Sequence, residues 1–208
     1  TIYSFSAGLN DQKGVIMGSG FKRYNLGSNL ETNVFDQLKV GANLKYSQSA
    51  TKGTGNSFYT NIVNYRPDVP LYDEKGNYAT TNDSTSSNPY AQLMQISESE
   101  NKNLMASFYG EYEIINGLKL RSSLSYNIVD GSNLRYIPSW DPFAMSNGRT
   151  GSRTDNLNSL NSRIFDNTLT YNKFFSKHYL NAVAGISFTQ DKSDFTRISS
   201  TNFPNDDV

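Results

Sequence analysis

Apolar and polar residues alternate along Leu38-Lys39-Val40-Gly41-Ala42-Asn43-Leu44-Lys45-Tyr46. Successive side chains of a β-strand point to opposite faces, so this stretch has one apolar and one polar face. The same pattern recurs along Leu118-Lys119-Leu120-Arg121-Ser122-Ser123-Leu124-Ser125-Tyr126 and in five further stretches. The chain is therefore predicted to be all-β and antiparallel, with about seven amphipathic strands.

The predicted strands are long, at about nine to eleven residues, and aromatic residues stand at both ends of their apolar faces. Soluble sandwiches rarely combine these features, which are typical of strands that cross an outer membrane. The chain has 14 Tyr, 12 Phe and one Trp, and Tyr and Trp suit a membrane interface. Only 36% of its 208 residues are hydrophobic, which a barrel tolerates because half of each strand is polar.

The formal net charge is zero and cysteine is absent. The charge balance argues against a nucleic-acid partner, and the missing cysteines exclude disulfides and thiolate chemistry. The single histidine, His178, lies beside a predicted turn without the carboxylate or nucleophile pattern that a general base needs. No phosphate-binding loop, dinucleotide fingerprint or zinc-protease motif occurs. We therefore predict that the protein is not an enzyme and uses no cofactor.

The spacing of the strands predicts an up-and-down order. The predicted strands cover residues 3–10, 21–31, 38–47, 104–114, 118–129, 165–172 and 179–190. Links after the second, fourth and sixth strands are short, whereas polar inserts at 49–103 and 130–160 follow the third and fifth. Membrane barrels have short periplasmic turns and long extracellular loops. With that orientation, the two rims of the apolar face carry Tyr24, Tyr46, Tyr126 and Phe188 on one side, and Tyr3, Tyr112 and Tyr171 on the other.

Two other classes of protein fit parts of this pattern. A soluble β-sandwich acting as a binding or adhesion module would need a second sheet to cover the apolar faces. A passive porin would share the lipid-facing pattern but would conduct ions without an energy source.

An open sheet edge is not tolerated in lipid, so seven strands require further strands from a longer polypeptide. The first residues are already strand-like and carry no export signal, which also predicts a segment of a longer chain; the alternative is a cytoplasmic protein that never had a signal.

Several stretches resemble the SusC/RagA-like family of TonB-linked outer-membrane transporters. They are, in chain order, residues 10–16 (Asn-Asp-Gln-Lys-Gly-Val-Ile), 18–26 (Gly-Ser-Gly-Phe-Lys-Arg-Tyr-Asn-Leu), 38–47, 66–78 (Arg-Pro-Asp-Val-Pro-Leu-Tyr-Asp-Glu-Lys-Gly-Asn-Tyr), 88–91 (Asn-Pro-Tyr-Ala), 165–173 and 177–181. Together they cover most of the chain in the order that the family shows.

The resemblance implies that residues 1–208 are an early-to-middle segment of one 22-stranded transmembrane β-barrel domain in the bacterial outer membrane. It also implies a plug domain and a TonB box, neither of which is matched here, and coupling to the TonB complex. A SusD-like surface lipoprotein would cap the extracellular face, and the cargo would be oligosaccharide or peptide fragments. The segment would supply barrel wall, contact with outer-membrane lipid, and loops for cargo or lid.

The two polar inserts hold the best candidates for recognition, because loops on a rigid scaffold commonly carry binding residues. Aromatic faces stack on sugar rings or bury flat apolar surface, and neighbouring polar groups supply hydrogen bonds. The candidates for contact with cargo or lid are Tyr65, Arg66, Tyr72, Tyr78, Tyr90, Tyr136, Trp140 and Phe143. The alternative is that these side chains pack the loops against each other.

Residues 73–77, Asp-Glu-Lys-Gly-Asn, combine oxygen ligands with a glycine. A calcium loop would also need alternating acids and a distal glutamate, which this stretch lacks. We therefore predict a turn with Gly76 in the left-handed conformation, and no metal site.

Overall fold

The computed structural model of the chain describes residues 1–54, 58–79, 88–146, 148 and 150–206, with only the backbone described at 143 and 146. Seven strands form one sheet in chain order, each antiparallel to the next. They are β1 (Ile2–Lys13), β2 (Gly20–Phe35), β3 (Leu38–Lys52), β4 (Ile96–Ile115), β5 (Leu118–Ile137), β6 (Ser152–Phe175) and β7 (His178–Thr201). The short helices are α1 (Phe58–Asn64), α2 (Pro89–Leu93) and α3 (Pro142–Ser146). None of the described helices has the length and apolar character needed to span a membrane.

The connections alternate in length as predicted. Two residues join β2 to β3, β4 to β5 and β6 to β7. Asn116-Gly117 forms the second of these turns, with φ of Gly117 at +87°, a left-handed conformation that glycine adopts without steric cost. At the opposite end lie loop A (residues 53–95), loop B (138–151) and the segment after β7, here called the return segment (202–206).

Four strands are much longer than predicted. β4 and β5 each have 20 residues, and β6 and β7 each have 24. The ends of the predicted inserts, at 96–103, 130–137 and 152–160, therefore belong to strands. The alternating pattern indicates where one face is continuously apolar, whereas the hydrogen-bonded ladder continues beyond that band through stretches that are mostly polar.

The strand register brings the predicted apolar faces together into one surface. Ala42 pairs with Leu30 on one side and Phe108 on the other. Phe108 pairs with Leu124, which pairs in turn with Phe165. Because directly paired residues point to the same face of a sheet, one apolar face extends across the strands, as the membrane-spanning interpretation requires.

The aromatic rim nearest the loops shifts in one direction across this register. Tyr24 is paired with the residue two positions beyond Tyr46 in β3. Tyr46 pairs with Leu104 of β4, which pairs with Ile128 of β5, two positions beyond Tyr126. Tyr126 pairs with Arg163 of β6, two positions before Phe165. Phe165 itself pairs with Phe188. In a barrel the strands are tilted, so residues at one height in the membrane shift in register from each strand to the next.

The rim at the turn end shifts in the same sense. Followed from strand to strand through directly paired residues, Tyr3 of β1 is in register with Phe108 of β4, which is four residues before Tyr112. Tyr112 is in register, in the same way, with Leu169 of β6, which is two residues before Tyr171. The two girdles are therefore parallel, which is the arrangement expected of a membrane-spanning barrel wall.

The opposite face of the sheet is polar and charged near the short turns. Lys39 lies 2.7 Å from Glu31, and the guanidinium of Arg121 lies 3.8 Å from the ring centre of Tyr109. Arg121 also pairs with Glu111 at 3.6 Å. Polar side chains of this kind suit the wet interior of a barrel.

Buried apolar residues occur only near the loops in the described part of the chain. They are Phe58, Ala79, Ala91, Tyr136 and Ala144. A sandwich buries a core between two sheets, but the described strands form one sheet whose apolar face is largely exposed. The fold therefore agrees with a barrel segment and gives no support to the soluble sandwich.

Candidate functional site

Loop A, loop B and the return segment lie at the same end of the sheet because β3, β5 and β7 all run towards it. Four of the predicted aromatic residues meet there and form one group, here called the aromatic cluster. Its members are Tyr72, Tyr78 and Tyr90 of loop A and Trp140 of loop B. The sequence pattern named all four residues, and the fold brings them together.

Tyr78 is at the centre of the aromatic cluster. Its ring centre lies 5.3 Å from that of Tyr72, 6.1 Å from Tyr90 and 5.1 Å from Trp140. Burial, with smaller effects of Tyr72 and Tyr90, raises the pKa of the Tyr78 phenol, so this group stays neutral at physiological pH. The contact between Tyr78 and Trp140 joins loop A directly to loop B.

The rim of the cluster remains accessible. Tyr72 is 46% exposed and Trp140 is 37% exposed, whereas Tyr78 and Tyr90 are half-buried. The cluster therefore presents two aromatic side chains to solvent on a base of two others. This arrangement can stack on a flat apolar or sugar face, and it loses little side-chain freedom on doing so.

A tight turn holds Tyr72 and Tyr78 next to each other. The two residues form an isolated antiparallel bridge. Within the turn, a carboxylate oxygen of Asp73 accepts hydrogen bonds from the backbone N–H groups of Lys75 (2.9 Å) and Asn77 (2.8 Å). The Asn77 hydrogen bonds are the main cause that keeps the pKa of Asp73 below its ordinary value. Gly76 has φ of +82°, so the predicted left-handed turn is confirmed.

The Asp73 carboxylate is thus engaged by the turn itself. In the described part of the chain, no group of three or more His, Asp or Glu side chains is arranged to hold a metal ion. The carboxylate hydrogen bonds give the turn a structural role.

Asn88 fixes Tyr90 in place. Its side-chain oxygen accepts hydrogen bonds from the backbone N–H groups of Tyr90 (3.0 Å) and Ala91 (3.3 Å), which caps α2. Its side-chain amide donates to the carbonyls of Leu71 (2.9 Å) and Ala79 (3.1 Å). Asn88 is 1% exposed, so it connects the helix to both ends of the Tyr72–Tyr78 turn.

A second connection between the loops lies below the aromatic cluster. The side-chain amide of Gln95, at the end of loop A, donates to the carboxylate of Asp141 at 2.8 Å. Asp141 directly follows Trp140 and is buried. Neither residue was singled out as a candidate, because a lone amide and a lone carboxylate carry no periodic or motif signal.

Two other candidates lie in loop A but outside the cluster. The Tyr65 hydroxyl donates to the carbonyl of Pro70 at 3.1 Å, and burial raises the pKa of this phenol. Arg66 pairs with Asp68 at 2.5 Å on the surface, and the Arg66 hydrogen bond is the main cause that lowers the pKa of Asp68. Both residues shape the 65–70 segment, and Arg66 remains exposed.

The structure corrects the expectation for Tyr136, which is the penultimate residue of β5 and not a loop residue. It is 2% exposed, and its ring packs edge-on against Phe203 of the return segment at 5.7 Å. Its hydroxyl donates to Asp206 at 2.6 Å. Tyr136 therefore supports the site from within and presents no face to a ligand. Phe143 is the second residue of α3, and its side chain lies outside the described part of the chain.

No family model matches the chain. Two curated proteins of Formosa agariphila are similar to it over nearly its whole length. TonB-dependent receptor P26 is 28% identical and matches 98% of this chain, and TonB-dependent receptor P3 is 24% identical and matches 99%. The chain spans only 21% and 22% of the length of these relatives, respectively.

Solved structures of the RagAB peptide transporter have the same fold. One matches 99% of this chain and 24% of its own with a TM-score of 0.77 and 24% identity. The RagAB peptide importer in its closed-closed state matches with a TM-score of 0.76 and 23% identity. These proteins are transporters and receptors by name, not enzymes.

By fold, this chain is therefore similar to the matching quarter of the RagAB peptide transporter. The matches to TonB-dependent receptors and to RagAB cover this chain almost completely. They confirm the resemblance to the SusC/RagA-like family that the sequence patterns carry, and they agree with an outer-membrane location.

Proposed function

We propose that this chain forms part of the wall and the extracellular loops of a TonB-dependent outer-membrane importer of nutrient fragments, either oligosaccharides or peptides. The aromatic cluster carries this proposal, because it gathers side chains from two loops at the loop end of a membrane-facing sheet. Residues 1–208 belong to a single barrel domain, and the plug domain and remaining strands come from the rest of the protein.

The cluster contacts cargo or the underside of a SusD-like lipoprotein lid. Trp140 and Tyr72 are its exposed members, and they make the contact through their ring faces. Tyr78 and Tyr90 hold those rings in place from behind. The names of the relatives favour energised import over a passive porin, since coupling to the TonB complex is what the name TonB-dependent receptor denotes.

The experiment uses the full-length protein, purified from outer membranes in detergent together with any lipoprotein that accompanies it. A tryptic digest of casein and an oligosaccharide mixture from digested plant polysaccharide serve as probes, and captured species are identified by mass spectrometry. We expect Trp140→Ala to weaken capture of one of the two probes about tenfold, which corresponds to the loss of one aromatic stacking contact.

Tyr59→Ala is the matched control. Tyr59 is an aromatic residue of loop A that is 66% exposed, but its ring contacts Phe58 and not the cluster. Equal effects of the two substitutions would contradict the assignment of the contact to the cluster. Lid contact gives a different result, in which Trp140→Ala reduces co-purification of the lipoprotein and leaves probe capture by the isolated barrel unchanged. A native protein that is water-soluble without detergent would overturn the proposal as a whole.

A further inference from the structure

The return segment folds back onto loop B immediately after β7. The backbone N–H of Phe203 donates to the carbonyl of Thr150 at 2.9 Å, and that of Asn202 donates to Gly151 at 3.2 Å. Asn202 has a positive φ of 63°, which turns the chain back towards the sheet. The ring of Phe203 then packs against Tyr136.

Asp206 closes this arrangement with one carboxylate that accepts three hydrogen bonds. The donors are the Tyr136 hydroxyl (2.6 Å), the Ser139 backbone N–H (2.8 Å) and the Ser139 hydroxyl (2.7 Å). Burial acts to raise the pKa of Asp206, but these hydrogen bonds outweigh it and hold the pKa below its ordinary value. The group is therefore a carboxylate at neutral pH, and hydrogen bonds to a charged acceptor are stronger than neutral ones.

Ser139 links these hydrogen bonds to the aromatic cluster. Ser139 directly precedes Trp140, whose ring lies 5.1 Å from that of Tyr78 in loop A. Both hydrogen bonds from Ser139 to Asp206 thus fix the backbone at the base of the Trp140 side chain. Because this anchor lies one residue before Trp140, it controls where the Trp140 ring lies.

We propose that Asp206 is a positioning residue that anchors loop B and so keeps Trp140 against Tyr78. The carboxylate couples the return segment to a distant part of the sequence, the end of β5 and the loop B residues that directly follow it. Its effect on cargo rests on the function proposed above, whereas its effect on the loops does not.

Hydrogen exchange of the full-length protein in detergent micelles tests the anchor directly. Peptides covering 138–146 of loop B and 72–78 of loop A are compared between the wild type, Asp206→Ala and the control Asp191→Ala. Asp191 is an exposed aspartate of β7, away from loop B. We expect Asp206→Ala to speed exchange in both peptides about tenfold or more, because charge-assisted hydrogen bonds are lost, and Asp191→Ala to leave both unchanged.

Tyr136→Phe is a milder second variant that keeps the ring contact with Phe203 and removes one donor to Asp206. It is expected to speed exchange of 138–146 by a smaller factor in the same direction. Unchanged exchange of 138–146 in Asp206→Ala would overturn the proposal. Faster exchange confined to 138–146, with 72–78 protected as before, would also overturn it, because the loops would then not be coupled through Trp140.

Probe capture separates this proposal from the function. If Asp206→Ala loosens both peptides and weakens capture as Trp140→Ala does, both proposals are supported. If it loosens both peptides and neither substitution alters capture or lid co-purification, the anchor stands and the proposed role of the aromatic cluster fails.

Discussion

The ring of Tyr109 lies across Gly41 of the neighbouring strand, in the place that a side chain at position 41 would occupy. A Cβ atom on Gly41 would overlap the ring of Tyr109. The two residues are directly paired across β3 and β4. Tyr109 is held over the glycine by a hydrogen bond from its hydroxyl to Glu31 and by the guanidinium of Arg121 on its other side. An aromatic side chain that covers a strand glycine in this way compensates for the missing side chain.

Gly41→Ala should therefore destabilise the protein. The added methyl group displaces the Tyr109 ring from Glu31 and Arg121, and overpacking of this kind costs about 1–3 kcal/mol. The measurement is the temperature at which the full-length protein loses its heat-modifiable gel mobility. Gly110→Ala is the matched control, since a Cβ there meets nothing within 4 Å. A shift as large for Gly110→Ala as for Gly41→Ala would contradict the steric account.

Ala184→Arg should be far more damaging than Val183→Arg. The two residues are adjacent in β7, and the register places Ala184 on the face of Leu169 and Val183 on the opposite face. Arginine near the centre of a lipid-facing band costs about 2–4 kcal/mol, whereas substitutions towards the lumen do not carry that cost. Unfolding in urea from lipid vesicles measures the difference. Equal destabilisation would show that the apolar face does not meet lipid.

Asn88→Ala should loosen loop A without affecting the barrel. It removes the cap of α2 and leaves the carbonyls of Leu71 and Ala79 without the donors that Asn88 supplies. The local cost is about 2–4 kcal/mol. We expect faster hydrogen exchange across residues 70–79 and unchanged heat-modifiable mobility, with the exposed Asn64→Ala as control. Protection of 70–79 that survived the substitution would count against Asn88 as the residue that organises the loop.

The Tyr72–Tyr78 turn should open only in acid. Because the pKa of Asp73 is lowered in the folded turn, its stabilising effect is complete above the ordinary aspartate pKa of about 3.9. It is lost as the pH falls below that value through the folded pKa. Exchange of the 72–78 peptide, corrected for the intrinsic pH dependence of exchange, should thus be constant between pH 5 and 8 (roughly the range above the aspartate titration). A transition near pH 6 or 7 would require another titrating group.

The apolar faces of the strands, their order and the two girdles could be predicted from sequence because lipid imposes a residue pattern at each of those places. The strand ends could not. Residues 130–137 and 152–160 are mostly polar and lack a sustained apolar alternation, so their composition does not separate a solvated ladder from a loop.

Within the site, the sequence indicated Tyr72, Tyr78, Tyr90 and Trp140 because aromatic residues stand out in polar inserts. It also indicated Tyr136 for the same reason, although this ring faces inward. Asp206 and Ser139 gave no signal, and Asn88 stood out only as part of the family-like stretch 88–91, since ordinary polar residues acquire their roles only when distant segments meet.

The extended strands also have a thermodynamic consequence for recognition. Beyond Phe188, β7 continues to Thr201 while paired with β6, so residues that a shorter sheet would leave as coil are already fixed. Ordering a backbone residue costs about 1–2 kcal/mol, and here that cost is met during folding and not during binding. Loop B, at residues 138–151, is shorter than the predicted insert 130–160 and is held at both ends by paired strands, so in the role proposed for Trp140 the backbone that carries it has less freedom to lose.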